Sequence, residues 1–392
     1  MYLVDPPPAR YRTILIQDAR ERHATSDVPL LLPQGMEHLA TQEGAVQDAL
    51  GRPWHDLRIS VTDQCNFRCR YCMPKEVFGR DYAFLPHRAL LSFDEIAHLV
   101  ATAVPLGVRK VRLTGGEPLL RKHLEHLIAT LAAQAEARAV PLDIAMTSNG
   151  SLLAAKAAAF RSAGLGRITV SLDALDERIF QQMSDADVSV ATVLRGIDAA
   201  LRAGFERVKV NVVVRRGWNE DQIVPMARHF LGMPVSLRFI EFMDVGQSNG
   251  WSMAHVVPGS EILERLQREF HLTSLAPATP GETARRWAYQ AQGAPASTAQ
   301  TEIGLINSVT QAFCGDCNRA RITADGQLFT CLFAQSGVNL LPYLRGGDAT
   351  AKPLGRLLRA VWSQRTDRYS EVRKDVSVKA RANKAEMNYL GG

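Results

Sequence analysis

The sequence holds no run of the roughly 18–20 consecutive apolar residues that a membrane span requires, so no membrane association is expected. Its opening residues, MYLVDPPPARYRT, lack a basic start followed by an apolar core and do not read as a secretory signal; the prolines also fit poorly with an organellar transit peptide. A cytoplasmic location is expected. No dense Lys/Arg block occurs, nor a basic stripe interleaved with stacking aromatics, and 46 basic against 40 acidic residues leave only +6. That mild excess suits an anionic ligand such as a polyphosphate and by itself argues only weakly for nucleic acid, against which the missing stripe counts. No Ser/His/Asp arrangement, phosphate-binding P-loop or internal repeat stands out, and His123 and His126 read as solvated residues on one helical face.

Cysteine is scarce too, with six in 392 residues. In a cytosolic chain such cysteines are ligands or catalysts before they are disulfides. All six fall in two triplets, Cys65, Cys69 and Cys72 in CNFRCRYC, then Cys314, Cys317 and Cys331 in CGDCNRARITADGQLFTC. Six small core residues would scatter along the chain instead. A structural zinc site wants four ligands, usually as two pairs, and each triplet offers three. A cubane iron–sulfur cluster tolerates three protein thiolates and keeps one iron open.

What the chain has in quantity is core material, 46% hydrophobic against 22% charged residues. Six β-rich runs recur at 57–61, 110–114, 143–147, 167–172, 207–214 and 235–243. Helix-period segments at 92–107, 123–139, 152–164, 190–204 and 219–232 separate them, with Ser92 and Asn219 as cap candidates. Strand–helix alternation predicts an α/β fold with a parallel sheet, and six units are too few to close an eight-stranded barrel. Residues 1–50 read as a poorly ordered or surface-docked extension, 51–250 as the partial barrel and 251–392 as a C-terminal region. Within that region, 274–301 reads as irregular connection broken by a strand at RRWAYQ, and Asp325–Gly326 as a hairpin turn. Polar and Gly-rich features collect after the strand ends, where ligands of parallel sheets sit.

With its C-x3-C-x2-C spacing and the following TGGEP, the sequence resembles the radical S-adenosylmethionine (SAM) enzymes. The second triplet in FCGDCNRARITADGQLFTCLF and the terminal Gly-Gly narrow the resemblance to the GTP-cyclising branch that begins molybdenum cofactor biosynthesis, over about residues 54–392. The resemblance implies a partial (β/α)6-type barrel whose open side is covered by the C-terminal region. It implies two [4Fe-4S] clusters, SAM on the open iron of the first and the guanine of GTP on the second. A 5′-deoxyadenosyl radical would then remove the ribose 3′ hydrogen, and the C3′ radical would attack guanine C8. The product would be (8S)-3′,8-cyclo-7,8-dihydroguanosine 5′-triphosphate. A reduced flavodoxin or ferredoxin-type donor, a downstream cyclic pyranopterin monophosphate synthase, and a monomer or homodimer are implied as well.

Carried over residue by residue, the six cysteines are the metal ligands. Tyr71 packs near the SAM adenine, Gly116 gives SAM a backbone contact and Glu117 meets its amino group. Ser171 and Met243 are SAM contacts by resemblance, although the residues alone read equally as core or capping positions. Arg58, Arg112 and Lys209 interrupt apolar strands; a charge inside a barrel must be paired, and a triphosphate would serve, while an outer rim position is the plainer alternative. Thr147 and the segment Arg319, Ala320, Arg321 match GTP contacts. Arg238, Gly391 and Gly392 are the catalytic candidates, with a salt bridge from Arg238 to Glu241 and a frayed tail as their ordinary alternatives. A radical SAM peptide-modifying enzyme and a metal-stabilised nucleic-acid-binding protein are the competing readings. The first would carry more C-terminal cysteines and the second four-ligand spacing.

Overall fold

The computed structural model describes residues 44–279, 281–293, 301–345, 351–373 and 384–391. Residues 1–43 of the expected extension therefore lie outside the described residues, as does Gly392. Six strands form where the alternation places them: β1 (Asp56–Ser60), β2 (Lys110–Thr114), β3 (Asp143–Ser148), β4 (Arg167–Ser171), β5 (Val208–Val214) and β6 (Val235–Glu241). Helices α1 (Phe93–Ala103), α2 (Leu124–Ala137), α3 (Leu153–Ser162), α4 (Glu177–Ser184), α5 (Val190–Arg202) and α6 (Ile223–Phe230) connect them. Ser92 caps α1 through a complete capping box with Glu95. Asn219 does not cap; its amide instead donates to the carbonyls of Asp173 and Val213, tying the chain to the end of β5. Helix α4 has no counterpart in the sequence reading, yet Asp176 accepts from the Ile179 amide at its start and Ile179, Phe180 and Met183 are buried.

The sheet is larger than six strands. After α7 (Gly259–Gln267) come β7 (Phe270–Leu275), β8 (Arg285–Ala291), β9 (Thr301–Ile306), β10 (Arg319–Ile322), β11 (Gln327–Phe329) and β12 (Val338–Asn339), then α8 (Ala351–Ser363). The order is β12-β11-β10-β1-β2-β3-β4-β5-β6-β9-β8-β7. β10 and β9 join the parallel core alongside β1 and β6, and antiparallel wings flank both. Within 274–301 the strand expected at RRWAYQ forms as β8 and supplies part of one wing, where Trp287 and Tyr289 alternate inward and bury their rings. The sheet stays open, as a partial barrel does, and the turn around Asp325–Gly326 links β10 to β11.

Residues 87–106 are apolar enough in composition to cross a membrane. Helix α1 itself covers only 93–103, and Ile96, Leu99, Val100 and Ala103 on it are buried in the core. Register sets the interior. Arg319, Asp56 and Lys110 lie side by side across β10, β1 and β2, and Arg321, Arg58 and Arg112 form the next row on the same face. The alternate residues Leu57, Ile59, Val111, Leu113, Ala320 and Ile322 join the hydrophobic core. One sheet therefore presents a cationic face to its interior and an apolar face to its helices.

Candidate active site

Both cysteine triplets line a single cavity. The first follows β1, in a turn where the Cys69 carbonyl accepts from the amides of Cys72 (2.9 Å) and Met73 (2.7 Å). Burial raises the Cys65 thiol to about 11. Burial and the charge of neighbouring thiols push Cys69 and Cys72 up as well. Three buried thiols repelling one another gain from a bound cation, which stabilises the thiolate form. In the second triplet, burial also raises Cys331, to about 12. At Cys317 burial acts in the same direction, but Arg319 and Arg365 outweigh it and bring the thiol down to about 6. Three soft donors per site, with no fourth cysteine among the described residues, fit a cluster that keeps one iron open.

Around the first triplet, Tyr71, Gly116, Ser171 and Met243 all line the cavity. The Tyr71 hydroxyl donates to Asp173 Oδ2 (2.8 Å), whose other oxygen accepts from the Val213 amide. Burial raises Asp173 to about 6 against those two bonds. Gly116 is required for a reason beyond ligand approach: a β-carbon there would collide with the carbonyls of Asp63 and Gln64 at the start of the cysteine loop. Glu117 is buried and does not line the cavity. It accepts from Ser148 Oγ (2.9 Å) and from the amides of Leu119 and Asn149, and so braces the end of β3.

On the cationic face, Arg58, Arg319 and Arg321 line the cavity with Thr147. Burial and then the neighbouring Arg321 drive the Arg58 guanidinium far below its ordinary range, and burial and then Arg319 lower Arg321 to about 10. Nε of Arg58, Arg112 and Arg321 is buried in each case without a hydrogen-bond partner. Adjacent buried cations with orphaned donors are costly unless an anion completes them. Arg112 stands behind the wall, donating to Thr147 Oγ1 and Thr169 Oγ1 (3.1 Å each). Lys209 is also off the cavity wall, lowered to about 6 by burial and then by Arg238. Ala320 faces the opposite side and packs in the core.

Arg238 does not line the cavity, and it pairs with Glu282 (3.0 Å) instead of Glu241. Glu241 is taken by the amides of Gly259, Val309 and Thr310. Gly391, by contrast, reaches the cavity wall at φ +77°, where a β-carbon would collide with Thr114 Oγ1 and Ser60 Oγ. Among the contacts that hold this tail are Lys384 to Asp244 (2.8 Å), Ser248 Oγ to Glu386 (2.8 Å) and Tyr389 to Asp325 (2.9 Å). The sequence reading missed Asp173, Thr330, Arg365, Asp367 and Met387, which also line the cavity. Of these, Thr330 lies within the second cysteine segment and Asp173 follows β4 on the polar rim, while Arg365, Asp367 and Met387 belong to no motif. His123, Glu125 and His126 do bring three ligand atoms within 4.8 Å, but on the exposed surface at the start of α2, where the helix dipole disfavours a cation.

An open sheet carrying an open-sited cysteine triplet after its first strand defines a radical SAM protein. Residues 59–230 match the Radical SAM superfamily and residues 235–371 match Molybdenum Cofactor Synthesis C. The Streptococcus suis SuiB structure bound to its precursor peptide SuiA shares the fold, with TM-score 0.53 and 12% identity over 93% of this chain and 72% of that one. More specific are proteins named GTP 3′,8-cyclase. That of Xanthomonas axonopodis pv. citri is 50% identical over 347 residues, and that of Acidothermus cellulolyticus 44% over 369; each match covers 88% of this chain and 99% of the relative. The chain belongs to the GTP 3′,8-cyclase family.

Proposed function

We propose that the protein cyclises GTP, removing the ribose 3′ hydrogen and joining C3′ to guanine C8, as a lyase in the first step of molybdopterin biosynthesis. The observation that carries this reading is the row Arg321, Arg58, Arg112 with orphaned Nε groups, beside a cavity that both open-sited triplets line. Cys65, Cys69 and Cys72 would hold one [4Fe-4S] cluster with SAM, and Cys314, Cys317 and Cys331 the other. When bound, the SAM-carrying cluster supplies a one-electron cleavage that furnishes the hydrogen-atom acceptor.

The chain's own residues bind, orient and exclude water. Arg58, Arg319 and Arg321 meet the triphosphate, with Arg112 orienting Thr147 behind them. Ser171, Met243 and the Gly116 backbone shape the SAM side, and the Asp173–Tyr71 bond fixes the aromatic between two ligands. Gly391 and Met387 bring the tail into the cavity, which keeps a reactive site dry. A reduced flavodoxin or ferredoxin-type protein as electron donor, a cyclic pyranopterin monophosphate synthase as the consumer of the product, a cytoplasmic location and a monomer or homodimer complete the proposal.

Anaerobic reconstitution with iron and sulfide, followed by dithionite, SAM and GTP, tests it. About eight irons per chain and 5′-deoxyadenosine formation that depends on GTP are expected. Bound zinc, or SAM cleavage indifferent to GTP, overturns the reading.

A further inference from the structure

Behind the second triplet lies a buried ionic knot. Asp48 accepts from Arg52 Nε (2.6 Å) and Arg365 Nη1 (3.1 Å) through the same oxygen, and its other oxygen accepts from the amides of Leu50 and Arg52 (2.9 Å each). All three side chains are 2% exposed or less. The guanidiniums then reach outward to the cysteine backbone. Arg52 Nη1 donates to the Cys314 carbonyl (2.7 Å) and to that of Asp367 (2.8 Å). Arg365 Nη1 donates to the Cys317 carbonyl (2.6 Å), and its Nε to the carbonyl of Thr330 (3.1 Å), the residue before Cys331. Every cysteine position of the second triplet is thus gripped by a guanidinium, and one carboxylate fixes both guanidiniums.

Stability alone does not account for this arrangement. Two cations and one carboxylate in a dry interior pay desolvation that well-packed apolar residues would avoid. Arg52 Nη2 is even left buried without a partner. Apolar packing is already present beside the knot: Trp54 stacks on Trp362 at 5.4 Å, and Arg365 lies over the Trp362 ring at 4.7 Å. What an apolar residue could not do is hold three loop carbonyls at fixed points. The β10–β11 hairpin does return Cys331 toward Cys317, and the Cys317 amide donates to the Cys314 carbonyl (3.1 Å), but it is the two guanidiniums that take the carbonyls of Cys317 and Thr330.

We propose that Asp48, Arg52 and Arg365 are positioning residues for the second cluster, holding the backbone at all three cysteine positions in ligating geometry before metal arrives. Segment 46–54 is then part of the site although it touches no substrate. The inference rests on the second triplet holding a cluster, as proposed above.

The test compares Arg52→Met, Arg52→Lys and Asp48→Asn with the unsubstituted protein, full-length and anaerobic. In metal-free protein, pulse alkylation read by mass spectrometry should show Cys314, Cys317 and Cys331 reacting about 10-fold faster in Arg52→Met. Cys65, Cys69 and Cys72 should keep their rates. After reconstitution, iron should fall from about eight to about four per chain, with the first cluster's SAM-dependent EPR change retained. Arg52→Lys should recover part of the loss, and Asp48→Asn should resemble Arg52→Met. Unchanged alkylation with about eight irons in Arg52→Met overturns the inference. So does equal loss at both triplets, which would make the knot a general fold element. If the unsubstituted protein itself held only about four irons, the two-cluster reading would fail instead.

Discussion

Gly391 packs against Thr114 with no room for a β-carbon, at a φ of +77° that L side chains rarely adopt. Steric and conformational demands coincide at a position that lines the cavity, and both hydroxyls facing it, Thr114 Oγ1 and Ser60 Oγ, are buried without a partner. Gly391→Ala should therefore displace the tail and leave the body of the fold intact. Turnover should drop by about 100-fold, the scale of an ångström-level misplacement near the reacting atoms. A single-turnover assay beside an unchanged thermal melt checks this.

The tail's anchors make a separate prediction. Asp244 takes Lys384, Arg373 and the Tyr369 hydroxyl together. Asp244→Ala removes the carboxylate that these three groups share, so the hold on Lys384 should weaken and the peptide bonds of 384–391 should become more open to protease. Limited proteolysis should cut there first, and activity should fall with it.

Arg321→Ala removes one member of a buried cationic row. Charge-assisted contacts contribute about 1.5–3 kcal/mol, so GTP affinity should fall roughly 10- to 100-fold. Arg112 acts behind the wall, and Arg112→Met should cost less. Equilibrium dialysis with GTP in metal-free protein measures both.

Lys209 gives a pH dependence. Its folded value is lowered to about 6 from 10.5 by burial and then by Arg238. Between those values the unfolded chain binds more protons, so this group makes stability rise with pH across that window. Lys209→Met should stabilise the GTP-free protein at pH 7 and flatten that rise. Denaturant melts at pH 7 and pH 9 should show a larger gain at the lower value.

Much of this was legible in the sequence for physical reasons. β1 to β6 carry strong apolar runs between helix-period segments, and the paired triplets state their own chemistry. Contacts between distant chain segments were not legible. Asp48 meets Arg365 across 317 positions, and no local pattern announces a pair that far apart. Arg238 chose Glu282 on a wing strand's approach over nearby Glu241, because Glu241 was already satisfied by three amides. Helix α4 spans eight residues, too few for a helical period to stand out, so little beyond the Asp176 cap marks it in the sequence. Ala320 entered with its arginine neighbours, although strand alternation turns it to the other face.

Two triplets and an arginine row that act together on one GTP ribose must move that ribose's 3′ hydrogen. GTP deuterated at the ribose 3′ position, supplied with SAM and reductant, tests this most directly. Deuterium is expected in the 5′-deoxyadenosine, together with a product isomeric with GTP. Deoxyadenosine free of deuterium, with GTP recovered unchanged, would contradict it.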